Sequence, residues 1–416
     1  MTALLHRPLP TQDPFDMSAW AIGAPRLLAG LQHVERLDVS THLATHGPLP
    51  GTDLAKLLAY LDGGGLAGRG GAGFPLATKL RTLADGPRQV IVNGTESEPA
   101  SRKDRVLLRR TPHLVLDGAL AVAAAIGARD VTVAVHDEQT AAAVRAAVSE
   151  RPDARRLAVK IVPGGFVSGE ARAVVRALRG GPARPPGRRT PPTVDGVLLA
   201  NVETFAQLAI LLRLGPHRFA ETGTPAEAGT TLLTVGGAVG RPGVVEIPLG
   251  TPLGIVLAAA HSAEPQAIVV GGYHGSWIAP IAQIRLSRAG IASAGGTFGA
   301  GVLLVVDHAT CALGELARVT GWLAGESARQ CGPCVFGLPA LAADVQALAA
   351  GNAGAVANAF AHARTVDGRG ACAHPDGAAR FVTSALHLLH DETDQHLRQG
   401  GCGRPTLGRL PIGATR

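Results

Sequence analysis

The stretch QVIVNGTESEP, residues 89–99, runs through three β-branched residues, stops at Asn93-Gly94, and then places two carboxylates, Glu96 and Glu98, with one residue between them. A short apolar run bounded by turn residues reads as a strand covered on both faces. The downstream sequence fixes the context. HLVLDGALAVAAAIG (113–127), EQTAAAVRAAVSE (138–150) and SGEARAVVRALRG (168–180) have helical spacing, and they alternate with the strand-like VTVAVH (131–136) and AVKIVPG (158–164). Strand and helix in regular alternation imply an α/β fold, a mostly parallel sheet covered by helices. Asn93, Glu96 and Glu98 then fall at the carboxyl edge of that sheet, where such folds bind ligands. An amide and two carboxylates suit the polar edge of a heterocycle, and they equally suit a solvated loop that caps the next helix.

Upstream lies GGGLAGRGGAGFP (63–75), a glycine cluster that cannot be the interior of a helix or strand. Gly68, Arg69, Gly70, Gly71 and Gly73 present main-chain N–H groups with few side chains in the way, a surface fit for a phosphate or a flat cofactor. Arg69 and Lys79 add the fixed positive charge that an anion cradle needs. Further along, the Pro/Arg loop GGPARPPGRRTPPTVDG (180–196) precedes one more strand and helix, VLLANVETFAQLAILLRLG (197–215). Residues 230–250 read as a hairpin and, with the strand GVLLVVDH (301–308), as a small α+β unit. From about residue 310 the pattern is helical.

The chain has 416 residues, 46% hydrophobic and 17% charged, which is globular composition with room for two to four domains. No stretch reads as an export signal or a membrane span, so a cytoplasmic protein is expected. The net charge of +7 comes mostly from arginine, yet aromatics are only 3% and no basic run is interleaved with them. That argues against a nucleic-acid partner and for an acidic protein partner steered by charge. All five cysteines lie in the last third, at 311, 331, 334, 372 and 402. Clustered cytosolic cysteines point to metal or redox chemistry rather than a disulfide framework. CGPC at Cys331 to Cys334 spells a dithiol oxidoreductase motif, but no buried strand precedes it, so it reads as half of a metal cage. Cys331, Cys334, Cys372 and Cys402 together fit zinc and an iron–sulfur cluster alike, with Cys311 left in the core.

In chain order, GLAGRGGAGFP, VNGTESEP with KDR after it, FVSGEA, ANVET, ESARQCGPC and GRGACA resemble the NADH-binding flavoprotein subunit of respiratory complex I and related NAD-linked diaphorase subunits. The likeness covers about residues 45 to 395. After an irregular, Pro-rich N-terminal extension (1–50), it implies a Rossmann-like FMN domain (51–225), a ubiquitin-like β-grasp domain (226–308), a helical bundle with a [4Fe–4S] cluster (309–400) and a tail (401–416). Carried over position by position, the flavin cradle is Gly68, Arg69, Gly70, Gly71, Gly73, Lys79, Asn93, Glu96, Gly169, Glu170, Asn201 and Thr204. Phe74 matches an aromatic stacked on nicotinamide, and Glu98 a carboxylate beside the dinucleotide.

Departures gather on the dinucleotide side, at Thr82, Ala171, Gly181, Pro191 and Ala200. Each lost stacking ring removes about 1 kcal/mol beyond burial. Ala328 stands where the family has its first cluster cysteine; Cys402, flanked by glycines, is the expected replacement, with His374 or an exchangeable ligand as the other options. The expected function is electron transfer from a two-electron donor, NADH by resemblance, through FMN and the cluster to one-electron partners. Two rivals stand beside it. One is a flavoprotein that exchanges electrons with a ferredoxin and never binds NADH; the other is a scaffold subunit of a redox complex without redox function.

Overall fold

In a computed structural model, residues 18–187 and 190–413 are described. The chain start, including the segment read for an export signal, and Arg188 and Arg189 of the Pro/Arg loop lie outside them. The expected parallel sheet is present, in the order Ala158–Ile161, Asp130–Val135, Gln89–Gly94, Val197–Asn201, all parallel. Val90, Ile91 and Val92 are buried on both faces, as their unbroken apolar run requires. The chain steps outward twice from Gln89–Gly94 and then returns to that strand's other side. The order therefore reverses between Gln89–Gly94 and Val197–Asn201, where Asn93 pairs with Asn201, and a crevice opens at such a switch point. Helices Pro112–Ile126 and Val202–Ala220 pack closely beneath it; a Cβ at Gly118 would stand 2.0 Å from the Phe205 carbonyl oxygen.

A second, mixed sheet comes next, in the order Ala19–Ala21, Gly243–Pro248, Thr230–Gly237, Val302–Asp307, Pro265–Val270, Ser276–Ile278. Thr230–Gly237 and Val302–Asp307 run parallel at its centre, and the hairpin expected at 230–250 is there. The described part of the first fifty residues is more regular than expected. Ala19–Ala21 adds a parallel strand to this sheet, and Glu246 accepts hydrogen bonds from the N–H groups of Arg26, Leu27 and Leu28 at 2.9–3.0 Å. Helix Val39–His46 is tied to helix Pro112–Ile126 by His42, 2.8 Å from buried Asp117. Proline and glycine obscured the strand because what orders it is pairing with residues about two hundred positions away.

Five helices close the chain: Ala312–Gly325, Leu338–Ala349, Ala355–Val366, His374–Leu388 and His390–Gln399. The tail packs back across them, with Pro405 accepting from the Cys311 N–H at 2.9 Å and Leu410 fully buried. No helix of the described residues is long and apolar enough to cross a membrane.

Candidate flavin cavity and thiol cluster

A cavity of about 860 Å³ opens at the switch point, and all three regions of the chain wall it. The parallel sheet supplies Asn93, Glu96, Glu98 and Asn201; the mixed-sheet region supplies Arg288 and Thr297 to Ala300; the helical region supplies Cys372 and His374. The glycine loop forms one side. Gly68 leaves no room for a methyl, since a Cβ would fall 2.5 Å from the Phe74 carbonyl oxygen. Gly71 adopts φ +39° and faces open space, so the bare main chain lies open to a ligand. Lys79 donates to the Leu199 carbonyl at 2.8 Å, and burial lowers its pKa, an effect that an anion in the cavity would oppose. Phe74, 48% exposed, lines the mouth.

Several residues expected to touch a cofactor line the cavity and also bond within the protein. Arg69 shows this most clearly: it lines the cavity, yet its guanidinium donates to the Ala228 and Thr230 carbonyls at 3.2 Å and lies 3.9 Å from Glu203. Burial brings its pKa down to about 10, and the side chain pins the glycine loop to the mixed sheet. Asn93 donates to the Gly169 carbonyl at 3.0 Å and accepts from the Thr95 N–H and hydroxyl. Glu96 accepts from Ser101 at 2.6 Å and from the N–H groups of Asp104 and Arg105 at 3.0 and 3.2 Å. Glu170 caps helix Ala171–Leu178 and Asn201 caps helix Val202–Ala220. Thr204 Oγ1 receives the Arg69 N–H at 2.9 Å. Three helix N-termini, each held by one of these side chains, thus face the cavity; two are already capped by carboxylates, which leaves the Asn201-capped start of helix Val202–Ala220 as the one suited to an anion. Gly169 completes the wall, a Cβ there falling 2.8 Å from the Thr95 carbonyl oxygen.

Sequence reasoning missed Lys103, Asp104 and Arg288. Lys103 is 3% exposed and bridges Asp104 at 2.8 Å and Glu203 at 3.1 Å; against burial, these two carboxylates hold its pKa above the ordinary value. Arg288 donates to the Gly68 carbonyl at 2.7 Å from 220 residues away, and the motif KDR was the only signal for the set. Of the departed positions, Ala171 and Ala200 line the cavity. Thr82 instead caps the end of helix Leu76–Arg81, and Gly181 packs on Arg176.

Glu98 is 8% exposed and accepts from the Tyr273 N–H at 2.8 Å, and burial pushes its carboxyl up to about 7. An unfolded glutamate gives up its proton near pH 4.3. The stability contributed by the protonated folded form is therefore complete below about pH 4 and is lost as pH rises to about 7. Glu98→Gln removes this slope. Urea denaturation of both proteins from pH 4 to 8 should show the variant gaining on the wild type by up to about 3 kcal/mol through that window, and level thereafter.

CGPC sits at the start of a wide helical turn, Pro333–Gly337, that leads into helix Leu338–Ala349, with Arg329 before it at φ +53°. Burial opposes it, yet the Ala371 and Cys334 N–H groups hold the Cys331 thiol below its ordinary pKa. Burial, with Cys331 and Cys372 alongside, pushes Cys334 up to about 12. Cys334 therefore has Cys331 and Cys372 as neighbours, and Cys372 also faces the cavity; among the described residues only Cys311, Glu392, His396 and Cys402 draw their ligand atoms together into a compact set. Cys402 does not join Cys331, Cys334 and Cys372. The tail holds it beside Cys311, Glu392 and His396, which corrects the expectation that it supplies the fourth thiolate. His374 is also engaged, with its ring nitrogens at 2.9 Å from the Leu323 carbonyl and from His274. Ala328, where the family has a cysteine, is buried.

Comparisons with known proteins agree with this geometry. Residues 62–210 match the Nuo51 FMN-binding domain, and residues 307–396 match the NADH-ubiquinone oxidoreductase-F iron-sulfur binding region. The F subunit of NADH-quinone oxidoreductase from Streptomyces coelicolor is 29% identical over 377 residues, 83% of this chain and 84% of that protein. Its Mycobacterium tuberculosis counterpart is 29% identical over 380 residues, 83% of this chain and 85% of that one. Among solved structures, a chain of air-oxidized NAD+-reducing [NiFe]-hydrogenase superposes with TM-score 0.80 at 27% identity, over 94% of this chain and 69% of that chain. The H2-reduced form gives 0.76 at 28%, over 83% and 63%. Fold and site together define an electron-transfer flavoprotein subunit with an FMN-binding domain and an iron–sulfur region. The chain belongs, as a divergent member, to the family of NADH-binding FMN and iron–sulfur subunits of respiratory complex I and related diaphorases.

Proposed function

We propose that this chain takes electrons in pairs from NADH and hands them on singly to other subunits of a redox assembly. The observation that carries this is the position of Cys372, which lines the glycine-loop cavity and neighbours Cys334. When bound, FMN supplies the interchange between two-electron and one-electron transfer, and an iron–sulfur cluster carries single electrons. The protein positions and insulates. The glycine loop, Gly169 and Thr204 shape the cradle, while Lys79 and the start of helix Val202–Ala220 offer positive charge to a phosphate. Asn93, Glu96, Glu170 and Asn201 act through the loops and helix ends they hold. Phe74 and Glu98 take the nicotinamide side. Cys331, Cys334 and Cys372 would hold the cluster, and neither Ala328 nor Cys402 would supply it a fourth protein thiolate.

The central parallel pair of the mixed sheet supports a ubiquitin-like β-grasp unit at 226–308, between the FMN domain (51–225) and the cluster-bearing helices (309–400). Five cysteines outside any disulfide fit a reducing, cytoplasmic setting. The net charge of +7 suits an acidic one-electron carrier such as a ferredoxin as a downstream acceptor. Anaerobic titration of the purified holoprotein with NADH tests the proposal. Stoichiometric loss of the flavin's visible absorbance is expected. No loss with NADH, but loss with reduced ferredoxin, would replace the donor; a colourless, iron-free protein would leave the scaffold alternative.

A further inference from the structure

Away from the cavity, Cys311, Glu392, His396 and Cys402 bring one ligand atom each to within 4.8 Å of one another, all four buried. Nothing in the electron-transfer reading uses them. Cys311 precedes helix Ala312–Gly325, where its Sγ accepts the Gly314 N–H at 3.2 Å. Glu392 and His396 share one face of helix His390–Gln399, four residues apart. Cys402 comes from the tail, which is fixed by the bond from the Cys311 N–H to the Pro405 carbonyl.

The tautomer of His396 is set by its partners. Nδ1 lies 2.8 Å from the Ala349 carbonyl, which can only accept, so Nδ1 carries the proton. The lone pair of Nε2 therefore points at Cys311 Sγ, 3.4 Å away. Ring orientation by a carbonyl is what a metal-binding histidine ordinarily has. Glu392 is oriented too, by the Leu313 N–H at 3.1 Å on Oε1 and by Arg404 at 2.6 Å from Oε2. Two sulfurs, an imidazole nitrogen and a carboxylate oxygen form a complete tetrahedral set for zinc, whose ligand atoms stand about 3.3–3.8 Å apart. Closing from 4.8 Å needs only small side-chain shifts.

We propose that this cluster is a closed structural zinc site, separate from the iron–sulfur cage, that staples the tail to the last helix and to the start of helix Ala312–Gly325. Binding displaces one proton from each thiol. Two thiolates and a carboxylate are then balanced by the dication and the Arg404 guanidinium, so no net charge is buried. All four positions come from protein, which leaves none open for catalysis.

The test is metal analysis of the full-length holoprotein purified anaerobically from zinc-supplemented cells. About one zinc per chain is expected, falling about tenfold or more in Cys402→Ser and in His396→Ala while iron and flavin hold. Cys331→Ser should show the converse, iron lost and zinc kept. Should a variant fail to fold, wild-type protein grown with cobalt supplies the second measurement, through a thiolate-to-cobalt charge-transfer band. Wild type without zinc and without that band, a Cys311–Cys402 disulfide found by mass spectrometry, or loss of iron together with zinc in Cys402→Ser would each overturn the proposal.

Discussion

Cys331→Ser is expected to strip the iron from this chain and leave the flavin bound. Cys331 and Cys372 are the thiols that neighbour Cys334 beside the cavity, and Ala328 would give a cluster there no reserve ligand. A [4Fe–4S] cluster held by three protein thiols cannot spare one, so iron should fall from about four per chain to near zero, with loss of the low-temperature paramagnetic signal of the reduced protein. NADH should still bleach the flavin, because the glycine loop and Lys79 contain none of these sulfurs. One-electron acceptors that draw on the cluster should no longer be reduced. The reciprocal variant, Ala328→Cys, restores the family's pattern at a buried position beside the cage, and its cluster should outlast that of the wild type in air. Equal iron content in Cys331→Ser and wild type would remove CGPC from the cluster altogether.

Gly68→Ala carries the second large effect. The added methyl would meet the Phe74 carbonyl oxygen at 2.5 Å, and backbone cannot swing aside as a flexible side chain does. The loop has little slack, since the Gly68 carbonyl is held by Arg288 at 2.7 Å and the Arg69 N–H by Thr204 at 2.9 Å. Overpacking of this kind costs about 1–3 kcal/mol. Here it displaces the main chain that faces the ligand. Flavin affinity measured by fluorescence quenching of added FMN should fall about tenfold or more, with iron content unchanged. Gly71→Ala separates sterics within the protein from sterics against the ligand. Its Cβ would meet nothing in the chain, so at φ +39° it should cost modest stability and lose flavin only if the cofactor lies against that residue.

Much of the site was legible because its signals are local. Glycines at 68, 71 and 73 answer to backbone geometry within a few residues, and the alternation from Gln89 onward places Asn93 and Glu96 at the sheet edge. Gly169, Asn201 and Thr204, which the resemblance implied for a flavin cradle, line the cavity. The resemblance did not reveal which way side chains turn. Arg69, an anion ligand by type, spends its guanidinium on two carbonyls of the mixed sheet, and Asn93 and Glu96 are satisfied by protein groups. A hydrogen bond of that kind depends on partners as far as 161 residues away in the sequence, and no local pattern encodes it.

Residue order alone determined the alternating sheet, the hairpin, the helical end and the pairing of sulfurs in CGPC, because periodicity and backbone preference act within one or two turns of chain. Tertiary structure decided which cysteines meet. Two thiols from opposite ends of the helical region, Cys311 and Cys402, came together rather than joining Cys331, Cys334 and Cys372. The path of the tail is fixed by the main-chain bond from Cys311 to Pro405 and by the Gly408 and Arg409 N–H groups, which donate to Glu315. Where a folded tail lies is set by the sum of such distant bonds, and that sum exists only once the helices have packed.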